Sequence, residues 1–134
     1  MIERKLSPLL RRFGVRFAYL WGSRARGCSR SDSDWDLAVS LSTASRDVDR
    51  CLGLVDELCS RLGTDDVDVT FLEDAVPSVR FFVQHTGRLI YEADRDARTA
   101  FELRARKEFW DLEFLLRPHV EGLWKRIRNG TFGQ

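Results

Sequence analysis

Apolar and polar positions alternate along this chain with two distinct periods, and the changes between them outline the elements. Ser7-Pro8 has the form of a helix cap followed by a first-turn proline; Leu9, Leu10 and Phe13 then supply a short apolar stripe that ends at Gly14. Val15-Arg16-Phe17-Ala18-Tyr19-Leu20-Trp21 is β-branched and aromatic, which suits a strand, and it runs into the turn signal Gly22-Ser23. Polar turn formers fill Gly27 to Ser33, and a second strand is expected from Asp34 to Leu41. Val48, Cys51, Leu52, Val55, Leu58, Cys59 and Leu62 then recur at intervals of three and four, the mark of an amphipathic helix capped by Ser45 or Asp47 and stopped by Gly63.

Period two returns at Asp66-Val67-Asp68-Val69-Thr70-Phe71-Leu72, a strand with acids on one face and apolar residues on the other. A short helix is expected over Ser78–His85 and a short strand over Arg88–Tyr91. From Asp94 or Asp96 a long helical pattern runs to Arg117, where Pro118 predicts a break before a further short helix over 119–128. On the long helix, Phe101, Ala105, Phe109, Leu112 and Leu116 form one stripe, and Leu103, Trp110 and Phe114 lie on another side. The second stripe is a candidate protein interface unless residues 119–132 fold over it. The order of elements predicts an α+β (α/β) fold: one domain over 1–134, with a small mixed sheet and helices packed mainly on one face.

Composition narrows the class. At 134 residues with 43% apolar and 32% charged content, the chain is expected to form one packed core. No apolar run is long enough to cross a bilayer, and no signal-type stretch follows Met1, so a soluble, cytoplasmic protein is expected, with no membrane partner. The three cysteines suggest no disulfide framework, because Cys51 and Cys59 would lie about 12 Å apart along a helix and Cys28 has no partner at zinc-ligand spacing. Net charge is +1, but it is segregated: residues 1–31 carry eight basic side chains and one acid, whereas residues 32–74 carry three basic and twelve acidic ones. Basic residues near the C-terminus accompany no RNA-binding signature, so direct nucleic-acid binding is not expected.

Chemistry concentrates where the basic block meets the acidic one. Asp34 and Asp36, two apart on a strand, project to one face with Cβ atoms about 6 to 7 Å apart. Asp68 on a neighbouring strand would add a third carboxylate, and such hard oxygen ligands suit Mg²⁺. Gly22-Ser23 ends a strand and opens a helix upstream of them, a place where backbone N–H groups can grip phosphates. A phosphate cradle beside a metal cluster describes a nucleoside triphosphate site. Asp32, Asp66, His85 and His119 are read as caps, exposed charges or packing groups. Trp21 and Trp35 flank the motif and could border a nucleotide base.

Gly22-Ser23, ten residues, then Asp34-Trp35-Asp36, with Asp68 in Val67-Asp68-Val69, resembles the signature of the DNA polymerase β-like nucleotidyltransferase superfamily. The forms Gly-Ser-Arg-Ala-Arg-Gly and Ser-Asp-Ser-Asp-Trp-Asp-Leu are similar to the minimal nucleotidyltransferase (MNT) antitoxins that accompany HEPN-domain ribonuclease toxins. That resemblance implies a nucleotidyltransferase fold and transfer of AMP from ATP to a tyrosine of the cognate toxin. It implies two Mg²⁺ ions held by Asp34, Asp36 and Asp68, with Asp68 accepting the hydroxyl proton. Gly22, Ser23 and Arg26 would hold the nucleotide, with Arg24 as the alternative to Arg26. Two other readings remain open: a non-catalytic antitoxin acting by occlusion, and a small-molecule nucleotidyltransferase of the aminoglycoside type.

Overall fold

A computed structural model describes residues 2–22, 34–42, 44 and 46–128 of the chain. In order, the elements are α1 (Ile2–Arg12), β1 (Val15–Trp21), β2 (Trp35–Leu41), α2 (Val48–Leu62), β3 (Val67–Phe71), a 3-10 turn (Leu72–Asp74), α3 (Pro77–Thr86), β4 (Arg88–Glu92) and α4 (Arg95–Arg128). The four strands form one sheet in the order β3-β2-β1-β4. β1 runs antiparallel to both β2 and β4, and β2 runs parallel to β3. The mixed α/β architecture expected from the sequence is the one observed.

Local chemistry explains most boundaries. Asp47, not Ser45, caps α2: its carboxylate accepts the Arg50 N–H at 2.7 Å, and Gly63 closes the helix in a left-handed conformation, φ 69°. Pro77 occupies the first turn of α3, where its missing N–H costs nothing. Asp94 caps α4 by accepting the Ala97 N–H at 3.0 Å.

Three expectations need correction. The first helix does not start at Ser7-Pro8; it begins at Ile2 and carries Pro8 inside it. Leu6, Leu9 and Leu10 are all buried against the sheet, and that packing outweighs the lost hydrogen bond to the Arg4 carbonyl, since Arg4 and Pro8 both lie on the exposed side. Nor does Pro118 break the last helix, which continues to Arg128 as one element of 34 residues, about 51 Å long. Phe114, whose carbonyl loses its N–H partner to the proline ring, is 72% exposed, so water can take that bond. Residues 119–128 therefore do not fold back over the preceding turns.

The third correction concerns the layers. Helices cover both faces of the sheet, not mainly one. On one face, Leu6, Leu9 and Leu10 of α1 and Leu54 and Leu58 of α2 pack on Ala18, Leu20, Leu37, Val39 and Leu41. On the other, Phe17, Tyr19 and Ala38 meet Leu72, Val83 of α3 and Phe101 of α4. Apart from Arg16, β1 is apolar on both faces, as a strand buried on both sides must be. α3 and α4 are joined by the stacked rings of Phe81 and Phe109, centroids 3.9 Å apart, and by the Arg80–Glu108 ion pair at 2.9 Å. No helix among the described residues is long and apolar enough to cross a membrane.

Candidate functional site

The strand register decides which acidic side chains meet. Leu37, Val39 and Leu41 point into the α1/α2 layer, so Asp36, Ala38 and Ser40 take the opposite face of β2. The same parity turns Val67, Val69 and Phe71 toward α1/α2 and leaves Asp68 and Thr70 on the face of Asp36. Trp21 pairs with Asp36 and Asp36 pairs with Asp68. One row across three strands therefore reads Trp21, Asp36, Asp68, with neighbouring strands about 4.8 Å apart. Asp34 lies one residue before β2 and is exposed, as is Asp68, while Asp36 is partly buried.

These carboxylates act on one another. Burial raises the Asp36 carboxyl above the ordinary carboxylate range, and the charges of Asp68 and then Asp34 push it in the same direction. Two of the three expected acids are thus register neighbours, and the third is within electrostatic reach. Among the described residues, no three His, Cys, Asp or Glu side chains stand together closely enough to hold a metal ion, Asp34, Asp36 and Asp68 included. The donor set still fits Mg²⁺, which commonly takes one or two protein carboxylates and completes its shell with water and substrate phosphates. A partly buried carboxyl under like-charge pressure is also a group that a cation would stabilise.

Gly22 follows the row directly and is fixed by two demands. Its φ of 77° lies in the left-handed region, and a Cβ built on it would sit 2.4 Å from Asp36 Oδ2. The backbone at the end of β1 therefore lies against the carboxylate, and a side chain there would displace it. Gly22 and Asp36 are brought together as the sequence suggested. Ser23 and Arg26 lie outside the described residues, as do Arg24, Cys28 and Asp32.

The two tryptophans beside the motif separate. Trp35 packs in the α1/α2 layer, and Trp21 lies on the face of the acids. The Trp21 indole N–H is buried with no hydrogen-bond partner among the described residues. Asp66 uses its backbone to anchor the row: its carbonyl accepts the Trp35 N–H at 2.9 Å, tying the start of β2 to β3.

The polymerase beta, nucleotidyltransferase family matches residues 4–96, which takes in the sheet and the acidic row and leaves nearly all of α4 outside. No curated protein matches the chain in sequence. Several solved structures share its fold. One is a chain of a toxin–antitoxin complex crystallised with AMP-PNP, with TM-score 0.78 and 23% identity over 92% of this chain and 99% of that one. Another comes from the complex of a tri-AMPylated Shewanella oneidensis HEPN toxin with its MNT antitoxin, with TM-score 0.70 and 22% identity over 91% of this chain and 95% of that one. A third, from a MntA-HepT toxin–antitoxin complex, has TM-score 0.70 and 22% identity over 91% and 96%. At these identities the structures speak for the fold, and the family match speaks for descent: the chain belongs to the polymerase beta nucleotidyltransferase family.

Proposed function

We propose that this protein is an MNT-type antitoxin that transfers AMP from ATP to a tyrosine hydroxyl of a HEPN-type toxin in the cytoplasm. The observation that carries the reading is the pairing of Asp36 with Asp68 on adjacent strands, with the Gly22 backbone pressed against Asp36, in a chain of this family. The shared fold with chains of toxin–antitoxin complexes, one holding an ATP analogue and one an AMPylated toxin, supports the choice of donor and acceptor.

In the reaction, the tyrosine oxygen forms a bond to the α-phosphorus of ATP, the bond from that phosphorus to the bridging oxygen breaks, and pyrophosphate leaves. Asp68, exposed at the rim of the row, accepts the hydroxyl proton. Asp34, Asp36 and Asp68 would hold two Mg²⁺ ions, whose chemistry is to neutralise charge on the phosphates and lower the pKa of the attacking hydroxyl. Gly22 keeps the backbone close enough for the triphosphate to reach the acids, and Ser23 and Arg26 bind its outer phosphates. The face of α4 that projects past the sheet, where Trp110, Phe114 and Trp124 are all more than half exposed, is the surface offered to the toxin.

To test this, a HEPN-type toxin that the protein binds is incubated with Mg²⁺, labelled ATP and either wild type or the Asp34→Asn/Asp36→Asn variant. Label should enter a toxin tyrosine with wild type only. Transfer that persists in the variant would remove the acids from the mechanism. Neutralisation of the toxin by wild type with no label transferred would favour occlusion, a reading that the apolar face of α4 also supports.

A further inference from the structure

α4 leaves the rest of the fold behind at Phe109. Up to that point its inner side is engaged: Ala105 is buried, Glu108 pairs with Arg80, and Phe109 stacks on Phe81. The helix then runs on to Arg128. On its far side Trp110, Phe114, Arg117, Glu121 and Trp124 recur at intervals of four and three, so they form one line along the helix, about 21 Å long. Among the described residues nothing covers this line: Trp110, Phe114 and Trp124 are 57%, 72% and 58% exposed.

The line is complementary to itself when turned end for end. Residues 108–116 carry three acids and no base, whereas residues 117–126 carry three bases and one acid, so the helix is acidic toward the body and basic toward its tip. Two copies laid antiparallel, level with each other at His119, set each half against the opposite charge. In that register Phe114 stands opposite Trp124 of the second copy and Arg117 opposite Glu121 of the second copy, and two-fold symmetry makes each contact twice. Glu121 has no ion-pair partner among the described residues, and Arg117 reaches only Glu113, at 3.3 Å. A parallel pair would instead set Arg117 against Arg117. The antiparallel pair also keeps the two bodies at opposite ends, where they do not collide.

The area is sufficient. A fully exposed aromatic side chain offers on the order of 200 Å², so the three rings leave roughly 400 Å² open per copy and about 800 Å² over a pair. The aliphatic stems of Arg117 and Glu121 between them bring the contact to the ~1,000 Å² that a specific interface needs. We propose that the partner-free protein is an antiparallel homodimer joined through this line of α4. A toxin docked on the same face would displace the second copy; that consequence rests on the toxin reading above, whereas the dimer does not.

The test uses the full chain alone, without ATP or toxin, in sedimentation equilibrium. Wild type should approach twice the 15.6 kDa of one chain at about 100 μM and dissociate on dilution toward about 1 μM. Arg117→Glu and Glu121→Arg should each weaken the dimer by about tenfold or more, because each sets like charges face to face twice. Mixing the two variants, or combining both changes in one chain, should restore it. Phe114→Ala should weaken it at least as much, and Leu116→Ala, on another side of α4, should leave the mass unchanged. A monomer at every concentration, a dimer indifferent to Phe114→Ala or dispersed by Leu116→Ala, or failure of the two charge variants to pair with each other would overturn the proposal.

Discussion

The two faces of the sheet are built to different rules. Under α1 and α2 the innermost contacts are aliphatic: leucines from both helices close over alternate residues of β1 and β2, with Phe13, Trp35, Phe71 and Tyr91 packed around them. Under α3 and α4 the same strands present aromatic rings, the fully buried Ser40 hydroxyl, the Tyr19 phenol bonded to Glu102 at 2.6 Å, and Asp36. The first face is closed by packing alone. The second holds polar groups that must each be matched, as Arg16, Ser40 and Glu73 are, and at one end it presents the carboxylate row. Stability is concentrated on one side and chemistry on the other, because apolar closure and exposed reactive groups cannot occupy the same surface.

Substitutions can break or sharpen that contrast. The largest loss of stability is expected on the aliphatic face: Leu58→Ala should cost about 2–5 kcal/mol in denaturant unfolding, with ATP turnover per folded molecule unchanged. On the other face, Ser40→Ala removes the hydroxyl that joins Arg16 to Glu73 and should cost about 1–3 kcal/mol. If it costs as much as Leu58→Ala, the two faces are not distinct in the way described. Gly22→Ala should lose only roughly 1–2 kcal/mol for the left-handed backbone. Because it pushes on Asp36 Oδ2, it should lower nucleotidyl transfer by about 100-fold.

Asp36→Asn is expected to have the smallest effect on stability, and its sign is informative. Burial and the Asp68 and Asp34 charges raise this carboxyl in the folded state, so the native protein holds the proton more tightly than the unfolded chain. Stability is therefore lost as pH rises from the ordinary carboxylate range through the raised value. With a chelator present, the variant should melt no lower than wild type at neutral pH, and any advantage should vanish on acidification below that range. A clear destabilisation at neutral pH would mean that Asp36 makes a favourable contact in the fold. The variant should nonetheless be inactive.

Sequence pattern made the acidic row legible because strand parity is strict: two acids at i and i+2, and a third between two valines, can be assigned to faces before any contact is known. Pattern did not reveal which face the helices would take, since Val15 to Trp21 is apolar on both sides and period two carries no sign. It misjudged Pro8 and Pro118 for one reason: a proline's cost depends on whether the freed carbonyl can reach water, and both lie on the exposed side of their helices. Ser23 and Arg26, the expected phosphate ligands, remain assignments from the motif.

The central claim is that the row of Asp36 and Asp68 beside Gly22 transfers a nucleotidyl group, which differs from phosphoryl transfer in the phosphorus attacked. ATP labelled at the α-phosphate and ATP labelled at the γ-phosphate, each supplied with Mg²⁺ and the partner toxin, separate the two directly. The account predicts that α-label enters the toxin, that γ-label appears only in released pyrophosphate, and that Asp36→Asn and Asp68→Asn abolish the transfer. Entry of γ-label into the toxin, or α-label transfer undiminished in both variants, would contradict it.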